Sequence, residues 1–85
     1  MYNTENNIIR EIMVDLRNRY KKSVISKKEL SEELDVSTST LNNYMAKGYG
    51  IPRYRKIGDA KNAKVVFPIF EVAKFLSKTV EVDND

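Results

Sequence analysis

Apolar positions in this chain recur at helical spacing in several stretches and alternate in a strand-like way in one. The breaks between the stretches fall at capping and turn residues. From Thr4 to Lys22, the residues Ile8, Ile12, Leu16 and Tyr20 follow one another every four positions, and Ile9 and Met13 widen the same stripe. Arg10, Asp15, Arg17 and Asn18 mostly take the other face, and Thr4 can cap the start with Glu5 in the favourable first turn. This spacing predicts an amphipathic helix that either covers the core of its own domain or mediates self-association.

The next stretch is more closely specified. Ser26 followed by Glu29 is a capping box, in which side chain and backbone satisfy each other's orphan donors. Ile25, just before the cap, is a candidate hydrophobic staple. Leu30 and Leu34 lie one turn apart on the inner face, while Lys28, Glu32 and Glu33 are expected outside. Asp35, Val36 and Ser37 predict a turn in which Val36 packs inward and Ser37 caps a second helix from Thr38 to Lys47. Leu41, Tyr44 and Met45 form the inner stripe of that helix, and Gly48 can close it in the left-handed conformation. Two short helices joined this way make a helix-turn-helix.

Pro52 ends helical continuation, and the run from Arg53 to Ile57 has the alternation and aromatic content of a short strand with Tyr54 and Ile57 facing inward. Gly58 to Asn62 is a polar turn, and Lys64 to Phe67 is the returning strand. Pro68 is expected at the first position of a last helix, followed by the apolar Ile69, Val72, Ala73, Phe75 and Leu76. The expected fold is therefore mainly α with a small β-hairpin wing: a winged helix-turn-helix preceded by an extra N-terminal amphipathic helix. Residues 1–24 carry that helix, 25–78 the winged domain and 79–85 an acidic tail, in which Thr79 to Val82 could add an edge strand.

Composition narrows the chemistry. A chain of 85 residues has room for one domain and a small core. It contains no Cys and no His, which removes disulfides, thiolate metal sites and the commonest general base. Glu32 and Glu33 sit side by side on a helix face rather than across a cleft, and no Gly-rich phosphate loop is present. An enzyme is therefore not expected, nor is any cofactor or metal. No run is long enough to span a bilayer and the polar start is no signal peptide, so a cytoplasmic protein is expected.

The net charge is only +3, but six basic residues stand against the single Asp59 between Lys47 and Lys64. A field concentrated in one segment points to a polyanion partner. In a helix-turn-helix the second helix enters the major groove with its N-terminal residues on base edges. Thr38, Ser39, Thr40, Asn42 and Asn43 are then the candidate base readers, since Asn matches adenine and Thr can meet the thymine methyl. Ser37, Lys27, Lys28 and Lys47 are candidates for the DNA backbone. Arg53, Arg55, Lys56, Lys61, Asn62 and Lys64 would form a wing straddling the sugar-phosphate chain or entering a minor groove. The alternative is a protein-interaction module that oligomerises through its N-terminal helix. Such a module should carry apolar anchors on the outer face of the second helix, where Thr, Ser, Asn and Lys stand instead.

The stretch from Ser26 to Leu76 resembles the excisionase and AlpA-type small regulators, which share a MerR-like winged helix-turn-helix. The resemblance rests on Lys28-Glu29-Leu30 with Leu34, on Val36-Ser37 through Thr40-Leu41, and on Gly48. It continues in Lys56-Ile57-Gly58 within the run from Pro52, and in Phe67 with Glu71-Val72 and Phe75-Leu76. It implies sequence-specific binding of double-stranded DNA in a phage or mobile-element setting, as a transcriptional regulator or as an excision accessory factor with a recombinase as partner. It also implies base reading by Thr38, Ser39, Asn42 and Asn43, and wing contacts by Arg55, Lys56 and the turn. The chain departs from that pattern in the helix that precedes the motif and in a longer wing turn; no MerR-type effector domain accompanies it, so a ligand sensor is not expected. One small domain binds DNA weakly, so pairing on repeated or inverted half-sites is expected.

Overall fold

The computed structural model describes residues 4–59, 61 and 63–78. Among these residues the elements run α1 (Thr4–Tyr20), β1 (Val24–Ser26), α2 (Lys27–Leu34), α3 (Thr38–Lys47), β2 (Arg55–Ile57), β3 (Lys64–Pro68) and α4 (Ile69–Ser77). The fold is mainly helical with one antiparallel sheet of order β1-β3-β2. Its core consists of Leu16, Ile25, Leu30, Leu41, Phe67, Ile69, Val72 and Ala73, drawn from all four helices and two of the strands.

Local rules account for the two central helices. Ser26 Oγ accepts from the Glu29 amide at 3.0 Å while the Ser26 amide donates to Glu29 Oε1 at 2.8 Å, so the capping box is complete. Asp35 ends α2 in the left-handed region with φ 58°, a conformation a short polar side chain tolerates. The Val36 amide closes back on the Ser31 carbonyl at 2.9 Å. Ser37 Oγ then accepts from the Thr40 amide at 3.0 Å to start α3. Gly48, at φ 83°, ends α3 by donating to the Tyr44 carbonyl at 2.8 Å.

The sheet differs from the hairpin expected. Ile25, just before the α2 cap, lies wholly buried in β1, opposite Phe67 of β3 and in the same core cluster as Leu30. Three residues carry no periodicity of their own, and this strand exists because β3 offers it an edge. β3 is divided between its neighbours, with Val24, Ile25 and Ser26 on Pro68, Phe67 and Val66, and Arg55, Lys56 and Ile57 on Val66, Val65 and Lys64. Arg53 and Tyr54 therefore lie before the ladder rather than in it. Tyr54 faces inward as expected, its ring tilted against Phe67 at 5.6 Å between centroids. Ile57 does not: it is 51% exposed, paired with the exposed Lys64 at the outer end of the ladder. Pro68 ends β3 and caps α4 instead of opening it, and the Ile69 amide is satisfied by the Ser23 carbonyl at 2.8 Å.

The first helix belongs to this core. α1 packs along α4, with Leu16 fully buried and Ile9, Ile12, Met13 and Tyr20 partly buried against the core. Ile8 is 42% exposed although it heads the row of four-residue spacing. At 3.6 residues per turn such a row drifts by about 40° per step, so its first member rotates out of the contact. Glu33, expected outside, is half-buried under the end of α1. Arg19 grips both its carboxylate oxygens at 2.8 and 3.0 Å and reaches Asp15 as well, while the Tyr20 hydroxyl donates to Glu33 at 2.7 Å. Asn62 and the segment Thr79 to Val82 lie outside the described residues.

These contacts perturb titration in a consistent direction. Hydrogen bonds from Arg19 hold the Glu33 carboxyl below the usual range, against the opposing effect of burial. Lys22, with help from the Ser26 amide, does the same for Glu29. Burial, then the bond to Glu33, pushes the Tyr20 phenol up to about 12.

Two predictions follow from the way α1 is held. Leu16→Ala should lower the stability of the whole chain by about 2–5 kcal/mol in one cooperative chemical denaturation; loss of α1 helicity ahead of an unchanged main transition would make α1 an appended arm. For Glu29 and Glu33, the folded state binds protons less readily than the unfolded chain. Their stabilisation is therefore complete above the ordinary value of 4.5 and lost as pH falls below it. Glu33→Gln should flatten the acid limb of a stability-against-pH curve, and an unaltered limb would remove the Arg19 contact from that account.

Candidate nucleic-acid interface

The outward face of α3 is small and polar. Ser39, Asn42, Asn43 and Ala46 are all exposed, and their spacing of i, i+3, i+4 and i+7 places them on one ridge. Thr38 and Lys47 are exposed at its two ends. Thr40 stands apart from the other candidate base readers: it is half-buried, and its hydroxyl lies 3.0 Å from Ser37 Oγ. Ser37 itself is occupied by the cap. Those two residues therefore form a local network that fixes the start of α3, leaving Thr38 and Ser39 to face outward.

The two asparagines are not equivalent. Lys27 Nζ donates to Asn42 Oδ1 at 2.7 Å, tying the first residue of α2 to the exposed face of α3. An Asn that reads adenine in bidentate fashion needs both its amide oxygen and its amide nitrogen. Asn42 presents its nitrogen with the oxygen already bonded, while Asn43 lies exposed one position further round the ridge. Sequence reasoning placed both residues correctly on the outer face but had no means of seeing the Lys27 contact, which joins residues 15 positions apart.

Charge on the surface is sorted by pairing. Arg19 bonds Asp15 and Glu33, Lys22 bonds Glu29 at 2.8 Å, and Lys74 lies 3.9 Å from Glu71. Arg53, Arg55, Lys56, Lys61 and Lys64 take no part in these pairs, and all five are exposed on and around the β2–β3 hairpin. Lys27 and Lys28 occupy the first two positions of α2. The helix dipole disfavours cations there by about 0.3–1 kcal/mol each, so helix stability does not explain them. Lys47 sits in the last turn of α3, where the same dipole favours it.

Two further residues belong with this surface. Tyr49 is 64% exposed in the loop after α3, flanked by Gly48 and Gly50, both with positive φ. Its amide donates to the Tyr44 carbonyl at 3.4 Å, so the loop is anchored while the ring projects outward. The glycines on either side of one tyrosine were the available signal. Ala46 carries no polar group, and its small size lets a partner surface approach the middle of the ridge. Among the described residues no cluster of acidic side chains could hold a metal ion, and no helix is long and apolar enough to cross a membrane.

No protein-family model matches this chain, and no curated protein or solved structure matches it at a significant level.

Proposed function

We propose that this chain is a sequence-specific double-stranded DNA-binding protein of the winged helix-turn-helix type. It acts without enzymatic chemistry, as a transcriptional regulator or an excision accessory factor of a phage or mobile element, in the bacterial cytoplasm. The observation that carries the reading is the exposed ridge of α3, small, polar and free of carboxylates, in a chain whose hairpin cations stay out of the salt bridges formed elsewhere.

In this reading α3 lies in the major groove with Ser39, Asn42 and Asn43 towards base edges and Ala46 against a thymine methyl. Thr38, Lys28, Lys47 and Tyr49 meet the backbone, and Arg53, Arg55, Lys56 and Lys64 follow it as a wing. Lys27 releases Asn42 to a base as its own ammonium turns to a phosphate, so one side-chain exchange couples backbone contact to readout. The resemblance to excisionase and AlpA-type regulators supports the setting, and the modest number of cations supports binding as paired copies on repeated or inverted half-sites.

The test is selection from a randomised duplex pool, with affinity followed from low to moderate salt. Enrichment of a short motif in repeated or inverted copies is the expected result, and absence of binding at low salt would overturn the reading. Asn43→Ala should reduce discrimination between cognate and random DNA by about 1–3 kcal/mol while changing binding to random DNA little; equal losses on both would remove Asn43 from base reading. Arg55→Ala combined with Lys56→Ala should weaken binding to every sequence and lower the slope of log affinity against log salt by about 2. An unchanged slope would take the hairpin out of the interface.

A further inference from the structure

A second basic surface lies along α1 and α4, made by residues that the DNA reading does not use. Three depressions adjoin in a row and form one trough: the middle one shares Met13 and Phe70 with one neighbour and Arg17 and Ser23 with the other. Its apolar floor includes Met13 with Val14 and Phe70, each of the latter two 50% exposed. Its rim carries Arg10, Arg17, Lys21, Lys22, Lys74 and Lys78, and among the described residues no carboxylate lines any of the three depressions. Lys22 and Lys74 have acidic partners at the edge, Glu29 and Glu71. The other four cations are in none of the salt bridges above.

Helical geometry explains why the described acidic residues of α1 stay off this strip. On α1, Arg10 and Arg17 stand two turns apart along the side that turns towards Phe70, and Lys21 follows the end of the helix in a left-handed conformation at φ 59°. Glu11 and Asp15 fall on the far side of the same helix. Exposed aromatic and aliphatic groups inside a ring of one charge sign are suited to an extended acidic segment that also carries apolar side chains. A second copy of the trough would not serve, since it would set cation against cation.

The chain contains one segment of that chemistry, and it follows directly on the trough. Lys78, a rim residue, immediately precedes Thr79-Val80-Glu81-Val82-Asp83-Asn84-Asp85, where two valines alternate with carboxylates. We propose that residues 79–85 dock in this trough within the same molecule, with Val80 and Val82 on the Met13–Phe70 floor and Glu81, Asp83 and Asp85 against its cations.

The reach is sufficient. Phe70 lies eight residues before Lys78, or about 12 Å back along the helix axis. Seven extended residues span about 23 Å, enough to run back past Phe70 towards Arg17. A short tether gives an effective concentration in the millimolar range, so contacts too weak to hold a free peptide suffice in the same chain. Docking would neutralise the α1–α4 face and leave α3 and the hairpin as the chain's positive pole.

The test uses the full chain and reads NMR signals of the Met13 methyl, the Val14 methyls and the Phe70 ring. One variant neutralises the segment (Glu81→Gln, Asp83→Asn, Asp85→Asn) and another removes its apolar groups (Val80→Ser, Val82→Ser). Both should shift the three trough residues in the same direction and leave buried Leu30 and Leu41 in place. Raising salt from 0.1 to 1 M shortens the Debye length from about 10 to about 3 Å and should reproduce the charge variant, with the docked fraction falling about twofold or more. Trough signals identical in both variants would overturn the proposal. Shifts that grow with protein concentration would also overturn it, by placing the segment on another copy.

Discussion

Everything in this fold is positioned from β3. The strand is only five residues long, yet its two halves are claimed by different partners, β1 towards Pro68 and β2 towards Lys64, with Val66 opposite both. Ser26 is the hinge of the arrangement. It is the β1 residue paired with Val66 and at the same time the N-cap of α2, so the sheet sets where α2 begins. From there Asp35, Val36 and Ser37 lead into α3. The exposed ridge of α3 is thus referenced to the sheet through one serine and one tight turn. On the other side, Phe67 fills the centre of the core, and the Ile69 amide bonds Ser23, fixing α4 against the start of β1. A small domain can bury only a small core, and this one reaches all four helices by routing them through a single strand.

What could be read in the sequence follows the range of the interactions. The capping box at Ser26, the cap at Ser37 and the left-handed Gly48 are set within three or four residues, and each forms as the local pattern indicates. β1 was invisible because three residues cannot display a period; its stability comes from a partner some 40 positions away. Ile57 departs from the inward position that its pattern suggests for a related reason. Alternation identifies which face of a strand a residue takes, but not whether anything lies over that face, and β2 pairs only with β3 at the edge of the sheet. Glu33 is a third case: its pattern marks it as solvent-facing, and only the arrival of Arg19 and Tyr20 from α1 covers it. At the candidate interface, the outer face of α3 was legible from helical spacing. The division of labour between Asn42 and Asn43 was not, since it depends on where Lys27 comes to rest.

The placement of α1 changes what the charges mean. A balanced sequence of acids and bases over the first 20 residues suggests an inert solvated helix. In the fold its acids and bases separate: Asp15 and Arg19 join Glu33 on one side, while Arg10 and Arg17 are left on the other, where Lys21 follows the end of the helix. Salt bridges at exposed sites contribute little to stability, typically about 0–1 kcal/mol. Their larger effect here is on the distribution of field, because they cancel charge between α1 and α2, while the hairpin cations and Arg10, Arg17, Lys21 and Lys78 of the trough stay outside these pairs. A net charge of +3 is therefore a poor guide to the potential that a polyanion would meet at any one face.

The contact between Lys27 and Asn42 shows how such a small interface could separate binding from reading. Held by the lysine, the Asn42 oxygen has one of its two acceptor sites committed and its orientation fixed, and the lysine at the start of α2 bears a charge that the helix dipole disfavours. A phosphate beside α2 would relieve the lysine and free the asparagine in one step. Asn43, one position round the ridge, needs no such release. Non-specific contact along the backbone would then precede full readout. Since the exchange trades one charge-assisted hydrogen bond of the lysine for another, it would cost little once the phosphate is in place, and the base would then meet a freed asparagine.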